Sequence, residues 1–281
     1  MKRMRIMGLC LVAAFALTAI GAGTASALPE IGRCVAQAGT GKYKDSNCTE
    51  KAKTLASEKQ FEFKKGPEVG KTGFTSKGGE GVLETEAGTK IVCTTQSATG
   101  SYKRLSTGTT KEVQGVIAKF EGCGIPAIGA ICKTKGEPEG TISTFSLKGP
   151  LGYISGEKTK TPVVGQDLTP TKAKGLFAEF ECLGGGIVVK VKAKEGAAPE
   201  GRVGANCVIA PVEKPNVMSL TATQEYSGSG GKQSPQHFQD KGTTKSKYCN
   251  LESNTNGGAF EAATQALTTT VTNEEALEIK A

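Results

Sequence analysis

The chain has 281 residues, with 35 lysines and arginines against 27 aspartates and glutamates, one histidine and no tryptophan. A single histidine excludes a multi-histidine zinc site, and a positive charge carried almost wholly by lysine argues against an arginine-rich reader of nucleic acid. Aromatic residues make up 5% of the chain and glycines number 38, a mixture that suits a turn-rich β protein.

Lys2, Arg3 and Arg5 precede an apolar stretch from Leu9 to Ile20, and Ala25-Ser26-Ala27 has the small-x-small form of a signal-peptidase site. Residues 1–27 are therefore expected to be a secretory signal, cleaved after Ala27. Without the three basic residues of that signal the net charge falls from +8 to about +5, and only Arg33, Arg104 and Arg202 remain as arginines. No second hydrophobic run is long enough to span a membrane, so release without an anchor is expected. Of the nine cysteines, Cys10 leaves with the signal. The even set that remains reads as four disulfides formed in an oxidising compartment.

Residues 28–71 read as a disulfide-closed N-terminal extension. Cys34 and Cys48 close a short Gly-containing loop, and Thr49–Gln60 is expected to be a short helix, capped by Thr49 with Ala52, Leu55 and Ala56 on one face. Residues 72–281 change to a period of two. Val82–Glu86 and Lys90–Thr94 flank Ala87-Gly88-Thr89 as a hairpin. Further strands are expected at Gly115–Glu121, Thr141–Leu147, Leu176–Glu181, Ile187–Lys194, Val203–Ile209, Val217–Tyr226, Phe260–Val271 and Leu277–Ile279. The fold class is therefore all-β, an antiparallel two-sheet sandwich or barrel-like domain. Cys123–Cys132 closes another short Gly-containing loop, which leaves three ways to join the other four cysteines, of which Cys93–Cys182 with Cys207–Cys249 is favoured.

Two patterns inside this region bear on organisation. Gly115-Val-Ile-Ala-Lys-Phe-Glu is echoed sixty residues later by Gly175-Leu-Phe-Ala-Glu-Phe-Glu, and Pro138-Glu-Gly140 by Pro199-Glu-Gly201. Residues 115–145 and 175–206 are thus candidates for a duplicated unit, against chance agreement between strands of similar composition. Lys190, Lys192 and Lys194 alternate with Val189, Val191 and Ala193, which places a lysine row on one strand face, expected to guard an exposed sheet edge.

Motifs for chemistry are few. His237 lies in a polar segment and reads as a solvated loop residue. Gly66-Pro-Glu-Val-Gly70-Lys71-Thr72 is one residue short of a phosphate-binding loop and lacks a following helix. No Cys-x-x-Cys pair marks a redox or zinc site. A sugar platform is not advertised either, since the tyrosines (Tyr43, Tyr102, Tyr153, Tyr226 and Tyr248) are scattered.

Leu28-Pro-Glu-Ile-Gly-Arg-Cys34, Gly41-Lys-Tyr43 with Cys48, Gly140-Thr-Ile-Ser-Thr, Leu147-Lys-Gly-Pro-Leu-Gly-Tyr153 and the closing Glu278-Ile-Lys280 resemble stretches of secreted, cysteine-containing, β-rich proteins of soil actinobacteria. That resemblance implies export and a β-rich fold and assigns no activity. The expected role is an exported, disulfide-stabilised structural or interaction protein without catalytic, cofactor or metal residues. Its expected contacts extend at most to weak attraction for anionic wall polymers. The alternative is an extracellular carbohydrate-binding module or glycan-active hydrolase.

Overall fold

The computed structural model describes residues 29–155, 163–171, 175–193, 203–205, 207–212, 214–239 and 247–281; the expected signal at 1–27 lies outside them. Nearly all regular structure is β. The first strands are β1 (Glu30–Ala36), β2 (Phe61–Lys65), β3 (Gly73–Thr85), β4 (Lys90–Cys93) and β5 (Thr95–Arg104). Then come β6 (Thr110–Glu121), β7 (Gly124–Ile125), β8 (Ala130–Lys133), β9 (Ile142–Ser143), β10 (Leu147–Ser155) and β11 (Val163–Pro170). The second half holds β12 (Leu176–Cys182), β13 (Ile187–Ala193), β14 (Val203–Ala205), β15 (Val208–Pro211) and β16 (Ser219–Ser229). It ends with β17 (Lys232–Ser234), β18 (His237–Phe238), β19 (Lys247–Cys249), β20 (Leu251–Thr255) and β21 (Glu261–Lys280).

These strands close an antiparallel eight-strand barrel with outer strands, not a pair of stacked sheets. From β3 the neighbours run through β5, β6, β10, β11, β15, β16 and β21, and β21 returns to β3 in register from Ala263↔Thr85 to Asn273↔Phe74. The β15–β16 seam is the thinnest part of the wall, a single bridge between Val212 and Gln224. Toward the other end, β3 and β21 exchange these neighbours for β4, β7, β8, β12, β13 and β20. One hydrophobic core, from Phe74 and Val116 to Phe180, Val191 and Leu251, draws residues from both sets.

Local sequence accounts for the curvature. In β3 the inward positions are Phe74 and Ser76, then Gly81 and Leu83, so the parity changes at Gly78-Gly79-Glu80. The register against β21 slips there by one residue, as a bulge requires. Gly115 makes a similar break in β6 with φ of 62°, a left-handed conformation that glycine adopts without strain. The hairpin expected at Ala87–Thr89 is present, with Thr85 N–H donating to the Thr89 carbonyl at 2.9 Å.

The N-terminal segment differs from the expected helix. Its N–H groups are engaged elsewhere: Glu50 donates to Asp45 Oδ1 at 2.6 Å and Ala52 to the Lys42 carbonyl at 2.8 Å. Only Ala56–Glu58 forms a helical turn, of the 3-10 kind. β1 and β2 pair with each other, and Glu30–Gly32 pair with Glu278–Lys280 of β21. Strand boundaries also shift. Phe260–Val271, apart from Phe260 itself, and Leu277–Ile279 belong to the single strand β21, Val203–Ile209 divides between β14 and β15, and Thr141–Leu147 divides between β9 and β10.

Four disulfides are present: Cys34–Cys48, Cys93–Cys123, Cys132–Cys182 and Cys207–Cys249. The expected Cys123–Cys132 and Cys93–Cys182 pairs are therefore corrected. Cys132 N–H donates to the Cys123 carbonyl across the β7–β8 hairpin, but its sulfur turns to Cys182, its direct cross-strand partner on β12. The lysine row is corrected as well. β13 lies between β12 and β20 and guards no edge. Lys190 pairs with Glu179 at 3.8 Å and Lys192 with Glu252 at 3.1 Å, Lys192 also resting 4.2 Å from the Phe260 ring centre. Lys194 lies outside the described residues, while Val189 and Val191 face the core as expected.

The echoed segments share a succession of features. Gly115 and Gly175 have φ of 62° and 65°; the rest of β6, then β7, a 3-10 turn and β8 follow the first, and β12, a 3-10 turn and β13 follow the second. Their members meet where β8 pairs with β12. Pro199–Arg202 lie outside the described residues.

Candidate functional site

The barrel encloses a cavity of about 140 Å³. Its apolar wall includes Phe74, Leu83, Ile91, Phe177, Phe180 and Leu267, and none of its described lining residues is an aspartate, glutamate, histidine, lysine or arginine. Glycine creates part of the space: Gly81 stands in the row Tyr226–Leu267–Gly81–Cys93 across β16, β21, β3 and β4 and contributes no side chain. A Cβ there would lie 3.4 Å from Gln265 Nε2 and from the Phe120 ring, an ordinary contact.

The polar groups in the wall are neutral and mostly paired among themselves. Thr269 Oγ1 lies 3.0 Å from Ser76 Oγ and 3.1 Å from Gln96 Oε1, joining β21, β3 and β5 in one buried network. Gln224 Nε2 donates to Gln166 Oε1 at 2.9 Å and so ties β16 to β11, the strand on the far side of β15. Thr144 Oγ1 accepts from Ala118 N–H at 3.0 Å. Tyr226 is the exception: it is 8% exposed and its hydroxyl makes no hydrogen bond with any described residue. Burial raises that phenol well above its ordinary range, so it stays protonated.

A second concentration of chemistry lies where β21 meets the N-terminal segment. Glu278 is 2% exposed and neither carboxylate oxygen has a hydrogen bond among the described residues. Burial pushes it up to about 7, opposed by Lys280, whose Nζ is 3.9 Å away, and reinforced by the charge of Asp45. Burial in turn lowers Lys280 against the pull of Glu278. Lys280 donates to the Cys48 carbonyl and lies 5.0 Å from the Tyr43 ring centre. Burial also works to raise Asp45, but backbone N–H groups of Glu50, Thr49 and Asn47 with the Thr49 hydroxyl override it and bring it down to about 2. An adjoining cavity of about 280 Å³ is lined by Tyr102, Asn273 and Glu278 and reaches the exposed Lys214, Val217 and Thr221.

The residues singled out from sequence are dispersed. His237 is not in an exposed loop: it is half-buried in β18, paired with Tyr248 of β19, the two rings 5.9 Å apart. Asp167 comes within 4.8 Å of Cys207 and Cys249, but those sulfurs are bonded to each other and offer no thiolate to a metal. The five tyrosines form no exposed platform. Tyr153 and Tyr226 are buried, the other three are half-buried, and the large exposed apolar side chains are all aliphatic. In the sequence Tyr226 stands out only as a strand terminus and as one of five scattered tyrosines, and Gln96, Gln166, Gln224 and Thr269 do not stand out, their inward direction being the sole signal of their place in the wall. No helix among the described residues is long and apolar enough to cross a membrane. Comparison of the chain with protein-family models, with curated proteins and with solved structures gives no match.

Proposed function

We propose that this chain is an exported binding protein whose disulfide-braced barrel holds a small, neutral, mainly apolar molecule. The observation that carries this reading is the cavity of about 140 Å³ with uncharged walls inside a closed barrel. An eight-strand barrel is wide enough inside to hold one small ligand, and an apolar cavity of about 150 Å³ stays dry and accepts benzene. Export is supported by the four disulfides and by the signal-like residues 1–27. Pro29 is fully buried and β1 begins at Glu30, so residues just beyond the expected cleavage point belong to the folded body.

The test is saturable binding of benzene and toluene, followed by methyl resonances of cavity residues and by the rise in thermal midpoint. At a ligand concentration of about 100 times Kd the expected stabilisation is about 2.7 kcal/mol. Gly81→Ala adds one methyl group to the wall and is expected to weaken toluene more than benzene while leaving the barrel as stable or slightly more so. Absence of saturable shifts from either hydrocarbon in the folded protein would overturn the reading.

A further inference from the structure

We propose that Tyr226 makes the barrel cavity selective for a ring-sized neutral molecule that carries a hydrogen-bond acceptor, such as a ketone or ether oxygen. This deepens the reading above and rests on it. The size follows from the cavity of about 140 Å³, and the neutrality from walls that hold no charged side chain to compensate a buried ion.

The acceptor follows from the hydrogen-bond inventory of the wall. Ser76, Gln96 and Thr269 satisfy one another, Gln166 and Gln224 form a pair, Thr144 is tied to Ala118, and Gln265 donates to the Ala266 carbonyl at 3.2 Å. Among the described residues, Tyr226 is the one polar side chain of the wall with no hydrogen bond; the residue is 8% exposed, and its hydroxyl is not one of the fully enclosed unpartnered atoms. Buried hydroxyl groups are ordinarily partnered, and a phenol is a ready O–H donor. A ligand oxygen supplies the missing acceptor, whereas a pure hydrocarbon fills the same space and leaves the donor unmet.

Two probes of equal heavy-atom count separate these cases: cyclohexanone and methylcyclohexane. Affinities are measured by titration of methyl resonances in the full folded chain. Tyr226→Phe is expected to weaken cyclohexanone by about three- to tenfold, the usual worth of one hydrogen bond, and to leave methylcyclohexane within about twofold. Gly81→Ala is expected to weaken both probes alike, which places both in the cavity. In the unaltered protein the Tyr226 Cζ resonance is expected to move at saturation with cyclohexanone and much less with methylcyclohexane, a readout that needs no variant. Equal effects of Tyr226→Phe on the two probes, or equal Cζ shifts, would overturn the selectivity while leaving the cavity reading intact. Failure of both probes and of benzene to bind would overturn the cavity reading itself.

Discussion

The barrel interior and the cluster around Glu278 bury polar chemistry in opposite ways. Inside the barrel, polarity is neutral and paired: amides and hydroxyls from strands distant in the chain satisfy one another, as Gln96, Ser76 and Thr269 do. Beneath the N-terminal segment it is ionic, with a carboxyl that has no hydrogen bond among the described residues held beside one lysine. A neutral network responds to a change of shape or ligand, whereas an ionic cluster responds to protons. The first region is suited to holding a molecule, and the second is expected to respond to pH because burial raises Glu278.

The largest expected effect tests the interior. Phe180, 3% exposed, lies in the cavity wall, and Phe180→Ala is expected to cost about 3–5 kcal/mol in denaturant unfolding. That loss should be the same at about pH 5 and about pH 8; a pH-dependent loss would blur the contrast between the two regions. Glu278→Gln tests the other side. Its folded pKa of about 7 lies above the 4.5 of an ordinary glutamate, so between those values the folded state binds more protons than the unfolded chain. The stability contributed by protonated Glu278 is therefore complete below about pH 4.5 and is lost as pH rises through about 7. The stability of the unaltered protein minus that of the Gln variant should fall by about 2–4 kcal/mol over this range. A flat difference would show that solvent or Lys280 relieves the buried charge. The smallest effect is expected at Lys190, whose pairing with Glu179 is exposed on both sides. Lys190→Gln should change stability by less than about 0.5 kcal/mol, and a larger loss would give the lysine row a structural part that neither region accounts for.

Strand character was legible wherever one face met the core, as in β12 and β13, where alternation placed Val189 and Val191 correctly. It failed where polar residues are taken up by neighbours. Asn273, Glu274 and Glu275 interrupt the apolar pattern of β21 and look like a turn, yet Asn273 accepts from the Tyr102 hydroxyl at 2.6 Å and Glu274 from Gly73 N–H at 2.8 Å. β11 shows no alternation because five consecutive residues, Val164 to Leu168, are buried on both faces. Closure into a barrel depends on the Val212–Gln224 bridge, a contact no periodicity announces. The site was hidden for a related reason, since glutamines pointing inward look in sequence like glutamines pointing out. The bridges misled through their spacing. Cys93, Cys123, Cys132 and Cys182 stand on or beside the neighbouring strands β4, β7, β8 and β12, so short separation in the chain does not single out the bonded pairs.

The disulfide pattern has a further consequence for how the protein is made. Every bridge joins cysteines that are successive in the chain from Cys34 onward, so no loop closed by one bridge contains a cysteine of another. A chain that meets oxidant from its N-terminal end presents Cys93 and Cys123 together before Cys132 arrives. By then the hairpin neighbour with which Cys132 would mispair is already spent. Oxidation in the order of emergence would thus lead to the native set of bonds without reshuffling.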